Sequence, residues 1–151
     1  MKVADILALK GSLVITIKPS ESLGALSKLL HDHRIGAAIV SQDGRTIDGV
    51  ISERDVAYGL SIHKANLHTL LVSALMTEAV ITCSPKDDVA KVASTMLSRN
   101  VRHLPVVDGK GCVIGMVSIR DVLNLRLDEL QRETAQLRSL VIQTDREPQD
   151  R

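Results

Sequence analysis

The sequence predicts an α+β fold in which one β-α-β-β-α unit occurs twice and a C-terminal helical extension follows. Two observations carry this expectation. The stretch GVISERD at 49–55 returns as GMVSIRD at 115–121, 66 positions on (115 minus 49). The same slide lays Val14, Ile15 and Thr16 on Val80, Ile81 and Thr82, Pro19 on Pro85, Val40 on Val106, and Val56 on Val122, with no gap from 14 to 56. A period of this length marks a repeated supersecondary unit. The pairs Asp43-Gly44 and Asp108-Gly109 stand 65 apart, so the two turns differ locally.

The elements follow in order. Residues 1–11 (MKVADILALKG) read as a short helix stopped by Gly11. Each unit opens with a β-branched run, VITI (14–17) or VITC (80–83), that predicts a strand. A helix follows, with Leu23, Leu26 and Leu30 on one face in the first unit and Val89, Val92 and Met96 in the second. Pro19 and Pro85 precede these helices, where proline is tolerated. Two strands around an Asp-Gly turn come next, GAAIV to IDGVIS and HLPVV to CVIGMVS. A second helix starts at each Ser-x-Arg-Asp element. Between the units, Leu70, Leu71, Ala74 and Leu75 predict a short buried helix. From Asp121 to Ile142 there is no Gly or Pro, and Leu123, Leu127, Leu130, Thr134, Leu137 and Val141 follow a 4-3-4-3-4 spacing. That is a heptad seam with one polar position, either a dimer contact or a face lying on its own module. The expected division is 1–66 for the first unit with its N-terminal helix, 67–127 for the second, 128–142 for the extension and 143–151 for a disordered tail.

Composition excludes several function classes. Apolar residues make up 44% and charged residues 25% of 151, as in a soluble globular protein. A net charge of +1 argues against nucleic acid and anionic membrane as partners. With no Trp, no Phe and only Tyr58, bases cannot be gripped by ring stacking, so a flat ligand must sit between aliphatic side chains and backbone. Cys83 and Cys112 read as buried reduced thiols of a cytoplasmic protein. His31 and His33 are two apart and cannot share a helix face, and no metal-spaced cluster is visible. No nucleophile-base-orienter set can be assembled, so neither catalysis nor a catalytic cofactor is expected.

The repeated motif carries the chemistry in two compatible ways. Ser52 with Asp55, and Ser118 with Asp121, have the spacing of an N-capping box. The same geometry also suits a ligand. A helix N-terminus attracts phosphate, Arg54 and Arg120 add a full charge in the first turn, and Asp55 and Asp121 can accept hydrogen bonds from a ribose diol. Gly36, Ala37 and Ala38 begin the second strand of unit one with small side chains that leave space. Arg102, His103, Leu104 and Pro105 stand at and after the matching positions, where Arg102 and His103 either meet phosphates or are an exposed arginine and a backbone-satisfied histidine.

The order β-α-β-β-α, closed twice in phase by Gly-apolar-apolar-Ser-x-x-Asp, resembles a tandem pair of CBS domains, often called a Bateman module, over about residues 3–127. The resemblance implies two units packed through their sheets with pseudo-twofold symmetry, homodimerisation, and two clefts for adenosyl ligands. It implies ribose contacts from the motif Ser and Asp, and backbone contacts to adenine near Thr16, Lys18, Thr82 and Ser84, which border the first strand of each unit. The expected function is therefore regulatory sensing of an adenosyl ligand, AMP or NAD(H) favoured. The rival is a dimerising scaffold that docks on another protein and leaves its clefts unused. The unlike residues at 36–38 and 102–104 predict two clefts of unequal affinity.

Overall fold

A computed structural model of the chain describes residues 1–145. The elements run α1 (Val3–Lys10), β1 (Thr16–Ile17), α2 (Leu23–His33), β2 (Ala37–Val40), β3 (Gly49–Ser52), α3 (Glu53–His63), a 3-10 segment (Lys64–Thr69), α4 (Val72–Leu75), α5 (Val89–Arg99), β4 (His103–Val107), β5 (Val113–Ser118) and α6 (Ile119–Thr144). In unit one, β1 pairs parallel to β2 and β2 pairs antiparallel to β3. In unit two, β4 and β5 form the matching antiparallel pair.

The helix faces are those the periodicity predicts. Leu23, Leu26 and Leu30 enter one core with Ile17, Ala38, Val40 and Ile51. Val89, Val92 and Met96 enter a second with Leu104, Val106 and Val117. Ser22 caps α2 by accepting from the Ala25 N–H at 3.1 Å. Both helices end in a left-handed residue, Arg34 and Asn100, placed 66 apart (100 minus 34).

The first strands are shorter than predicted, for a visible reason. In unit one the Ile39 N–H donates to the Ile15 carbonyl at 3.3 Å, next to the two-residue strand β1. The position matching Ile39 is Pro105, which has no N–H to give. Residues 80–83 therefore form no strand. Only Cys83 is bridged to Val106, through Cys83 N–H to Pro105 O and Val107 N–H to Cys83 O, both 2.9 Å. Burial, with the Asp87 charge adding to it, pushes the Cys83 thiol up to about 11, so it stays protonated at neutral pH. Cys112 is only half-buried, contrary to expectation.

The segments ahead of each unit cross over. Residues 1–11 were expected to belong with unit one, but Val3 and Ile6 of α1 pack in the core of unit two. Leu67 and Val72 of the inter-unit segment pack in the core of unit one. Their hydrogen bonds match pairwise. Val72 N–H reaches Glu21 O and Ser73 N–H reaches Pro19 O, while Val3 N–H reaches Asp87 O and Ala4 N–H reaches Pro85 O. The acceptors stand 66 apart (87 minus 21), the donors 69 apart (72 minus 3). This exchange gives the pseudo-twofold its form, with α1 as the counterpart of α4. The inter-unit helix is buried through Val72, whereas Leu71 and Ala74, expected inside, are exposed.

The two motif glycines receive these crossing segments. A Cβ on Gly49 would lie 2.9 Å from both the Thr77 carbonyl oxygen and Met76 Sδ. One on Gly115 would meet only the Leu7 side chain, at 2.7 Å. Leu7 can rotate away, but Thr77 cannot shift without breaking its two bonds to Val50, at 2.9 and 3.0 Å. Gly49→Ala is therefore expected to cost about 1–3 kcal/mol and Gly115→Ala less than about 1. Urea midpoints at constant m-value check this; equal losses would contradict it.

Beyond Leu125, α6 leaves the core. Every residue from Gln131 to Asp145 is exposed. The seam residues Leu123, Leu127, Leu130, Leu137 and Val141 are 51–64% exposed, so the seam does not lie on its own module. The disordered tail was expected from 143, but the helix continues through Thr144; residues 146–151 of that expected tail lie outside the described residues. No helix among the described residues is long and apolar enough to cross a membrane.

Candidate ligand-binding site

Each motif forms its capping box. Ser118 Oγ accepts from the Asp121 N–H at 3.2 Å, and Asp121 Oδ2 accepts from the Ser118 N–H at 2.8 Å. Ser52 and Asp55 repeat this with a longer second half: Ser52 N–H donates to Asp55 Oδ2 at 2.7 Å and Asp55 N–H to Ser52 Oγ at 3.4 Å, while the Ser52 O–H also donates to Asp55 Oδ2 at 3.0 Å. The cap fixes where each carboxylate points, so capping and recognition share one geometry.

A cleft of about 270 Å³ lies where the units meet. Unit one supplies Gly36, Val50, Ser52, Glu53, Arg54, Asp55 and Tyr58; unit two supplies Val80, Ile81, Asn100, Val101, Arg102, His103 and Leu104, with Thr77 and Ala79 leading in. The motif of the first unit thus faces the strand edge of the second. Val50, Val80, Ile81, Val101 and Leu104 make the walls aliphatic. Arg54 spans the junction, its Nη1 donating to the Asn100 carbonyl at 3.3 Å. Asn100 is the left-handed cap of α5, so that carbonyl is turned out of its helix. Burial pushes the His103 imidazole below its ordinary 6.5 against the opposing pull of Glu53, which leaves it neutral at pH 7.

The proline that shortens the first strand also shapes this cleft. Ile81 matches Ile15, whose carbonyl is taken by the Ile39 N–H. Because Pro105 has no N–H, it cannot repeat that bond to the Ile81 carbonyl. Ile81 lines the cleft.

The predicted residues fall into three groups. Gly36, Ser52, Arg54, Asp55, Arg102, His103 and Leu104 meet in this cleft. Ser118, Arg120 and Asp121 stand at the other motif, where Lys10 of α1 donates to Asp121 Oδ2 at 2.8 Å and to the Met116 carbonyl at 2.9 Å. Burial works against the Asp121 charge, but Lys10 and the Ser118 N–H outweigh it and hold the carboxyl below the usual range. The remainder lie elsewhere. Ala37 and Ala38 are buried in β2 and line neither this cleft nor the hollow beside Thr16, and Pro105 is fully buried. Thr82 is exposed, and the Ser84 N–H is taken by Asp87 at 2.9 Å. Thr16 and Lys18 border a wider, more open hollow of about 650 Å³ with Ser41 and Asp43. That hollow holds no motif residue. Its Asp43 carboxylate is already held ionised by the Thr46 and Arg45 N–H groups.

Sequence reasoning missed Val50, Glu53, Tyr58, Thr77, Ala79, Val80, Ile81, Asn100 and Val101. Val80 and Ile81 were read as ordinary strand, and Glu53 as the variable position of the motif. The 66-residue repeat aligned each residue with its twin, whereas the cleft joins residues of opposite units.

The family model for the CBS domain matches residues 12–61 and 72–128. A mitochondrial CBS domain-containing protein of Arabidopsis thaliana is 31% identical over 118 residues, covering 76% of this chain and 57% of that protein. The chain thus spans a little over half the length of the first curated relatives it matches. Among solved structures, a CBS-domain containing protein from Agrobacterium tumefaciens superposes with a TM-score of 0.80 at 33% identity, covering 83% of this chain and 99% of that one. A CBS domain pair solved in complex with 5′-methylthioadenosine and S-adenosyl-L-methionine superposes with a TM-score of 0.76 at 28% identity, covering 85% and 98%.

Proposed function

The chain belongs to the CBS-domain family and carries the domain twice in tandem, and from that premise we propose that it is a non-catalytic regulatory module that binds an adenosyl ligand in the cleft between its units. One observation carries the reading: Ser52, Arg54 and Asp55 face an aliphatic slot built by the other unit. In this reading adenine slides between Val80, Ile81, Val101 and Leu104. Its exocyclic amine donates to the Ile81 carbonyl, which Pro105 cannot pair and no other described residue does. The ribose diol donates to Asp55, and Arg54 with Arg102 meets the phosphate. The adenosyl complex of the similar CBS pair supports the ligand class. A cleft of about 270 Å³ sits just below the usual ligand-pocket sizes, roughly 300–1,000 Å³, which favours a mononucleotide such as AMP over enclosure of a whole NAD(H).

A second reading has its own support. The apolar seam on α6 stands free of the module, so homodimerisation through that helix is proposed alongside ligand binding. If the cleft proves unused, the chain is a scaffold that works through this surface.

Thermal shift with AMP, ADP, ATP, NADH and S-adenosylmethionine tests the ligand reading, with GMP and inorganic phosphate as controls. A ligand at about 100 times its Kd adds about 2.7 kcal/mol, which moves the melting point by several degrees. GMP should do little, because its O6 meets the Ile81 carbonyl acceptor to acceptor. If no adenosyl compound exceeds the phosphate control, the reading fails.

A further inference from the structure

We propose that Lys10 keeps the second cleft closed, so that one chain takes one adenosyl ligand, beside Asp55, while the ribose position beside Asp121 is held by an internal ion pair. This rests on reading the motif carboxylates as ribose acceptors.

The surroundings of the two motifs differ because the crossing segments differ by about one turn of helix. On unit one, α4 has four residues and stops at Leu75. The chain then runs extended, and the Thr77 N–H satisfies the Val50 carbonyl at 2.9 Å. That contact is neutral and leaves Asp55 bonded to Ser52 alone among the described residues. On unit two, α1 has eight residues. Leu7 seats against Gly115, and the helix runs on to Lys10 before Gly11, at φ +85, turns the chain away. The strand carbonyl matching Val50 is Met116, and the Lys10 ammonium takes it at 2.9 Å. A second N–H of the same ammonium takes Asp121 Oδ2 at 2.8 Å.

The carboxylate side of the pair is sheltered, while Lys10 is exposed. The Asp121 side chain is 18% exposed and that of Lys10 39%, so solvent screens this carboxylate less than one standing fully in water. Ribose hydroxyls offer neutral donors to the same carboxylate. An ammonium already in place forms the stronger, charge-assisted bond. A ligand entering this cleft must displace Lys10 and leave the Met116 carbonyl unpaired. The ligand entering beside Asp55 displaces nothing of the kind.

Lys10→Met tests this, because it removes the ammonium and keeps the aliphatic stem on β5. AMP, ATP and S-adenosylmethionine are titrated calorimetrically into the wild type, Lys10→Met and Lys10→Met/Asp55→Ala. The wild type should bind one ligand per chain. Lys10→Met should show a second event at least ~10-fold tighter than any second event in the wild type, and in the double variant that event should persist while the first weakens by roughly ten- to 150-fold. Two comparable sites in the wild type, or one unchanged site in both the wild type and Lys10→Met, would overturn the inference while leaving the ligand reading standing. Loss of the first site in Lys10→Met would overturn it too, by making Lys10 a ligand contact. No binding to any form at any concentration would instead sink the ligand reading beneath it. Lys10→Arg, which restores the charge, should bind as the wild type does; if Lys10→Met melts too early to titrate, Lys10→Gln takes its place.

Discussion

Asp55→Ala is expected to weaken adenosyl-ligand binding by roughly ten- to 150-fold, because it removes charge-assisted hydrogen bonds worth about 1.5–3 kcal/mol. The same carboxylate caps α3 through the Ser52 N–H at 2.7 Å, so the variant should also lose about 0.5–2 kcal/mol of stability without ligand. The two losses separate experimentally. Denaturant melts of the free protein report the cap, and titration well below the melting point reports the ribose contact. Asp55→Asn keeps the shape and most of the cap but gives up the charge, so its affinity should fall between the two. A variant that melts early yet binds like the wild type would reduce the motif to a helix cap used twice. Arg54→Ala should weaken AMP and spare adenosine, since only the phosphate contact is lost.

Leu130→Glu/Leu137→Glu is expected to convert a dimer into a monomer at micromolar concentration. Both leucines lie on the α6 seam, 51% and 64% exposed, and neither belongs to either core. From Gln131 to Thr144 the helix runs through solvent for about 21 Å, at 1.5 Å per residue. A free helical arm of that length is marginal in water, so it needs a partner to bury its apolar stripe. Burying a leucine is worth about 1.5–3 kcal/mol. Losing two from each of two chains should raise the dimer constant by far more than 100-fold. Sedimentation velocity decides it, with circular dichroism confirming that the module remains folded. A wild type that is monomeric throughout, or a variant that stays dimeric, would exclude the α6 seam as the contact.

Much of this architecture was legible in the residues. The return of GVISERD as GMVSIRD marked both strand-to-helix junctions, and the spacing of Leu23, Leu26 and Leu30 found the buried face of α2. These are local signals, set by backbone periodicity and capping chemistry. The crossing of α1 onto unit two was not legible, because the repeat there changes step from 66 to 69 and a sequence slide loses phase. Pro105 stood in view, but what it withholds from Ile81 depends on which strand lies alongside. The cleft itself was hardest to read. Asp55 and Ile81 come from different units, and a repeat suggests that each unit carries its own site. Lys10 stood in the sequence only as the residue before the Gly11 stop. Only the packing of Leu7 against Gly115 shows where its ammonium must go.

Backbone amide shifts of the labelled 16.4 kDa chain, followed by NMR during AMP titration, test the central claim most directly. Ser52 to Asp55 of one unit and Val80, Ile81 and Arg102 to Leu104 of the other should shift together, with one affinity. Small changes are expected at Thr16, Gln42 and Gly44 in the open hollow of unit one. Saturating AMP that moves none of the cleft amides, or moves only those of the hollow, would contradict the claim.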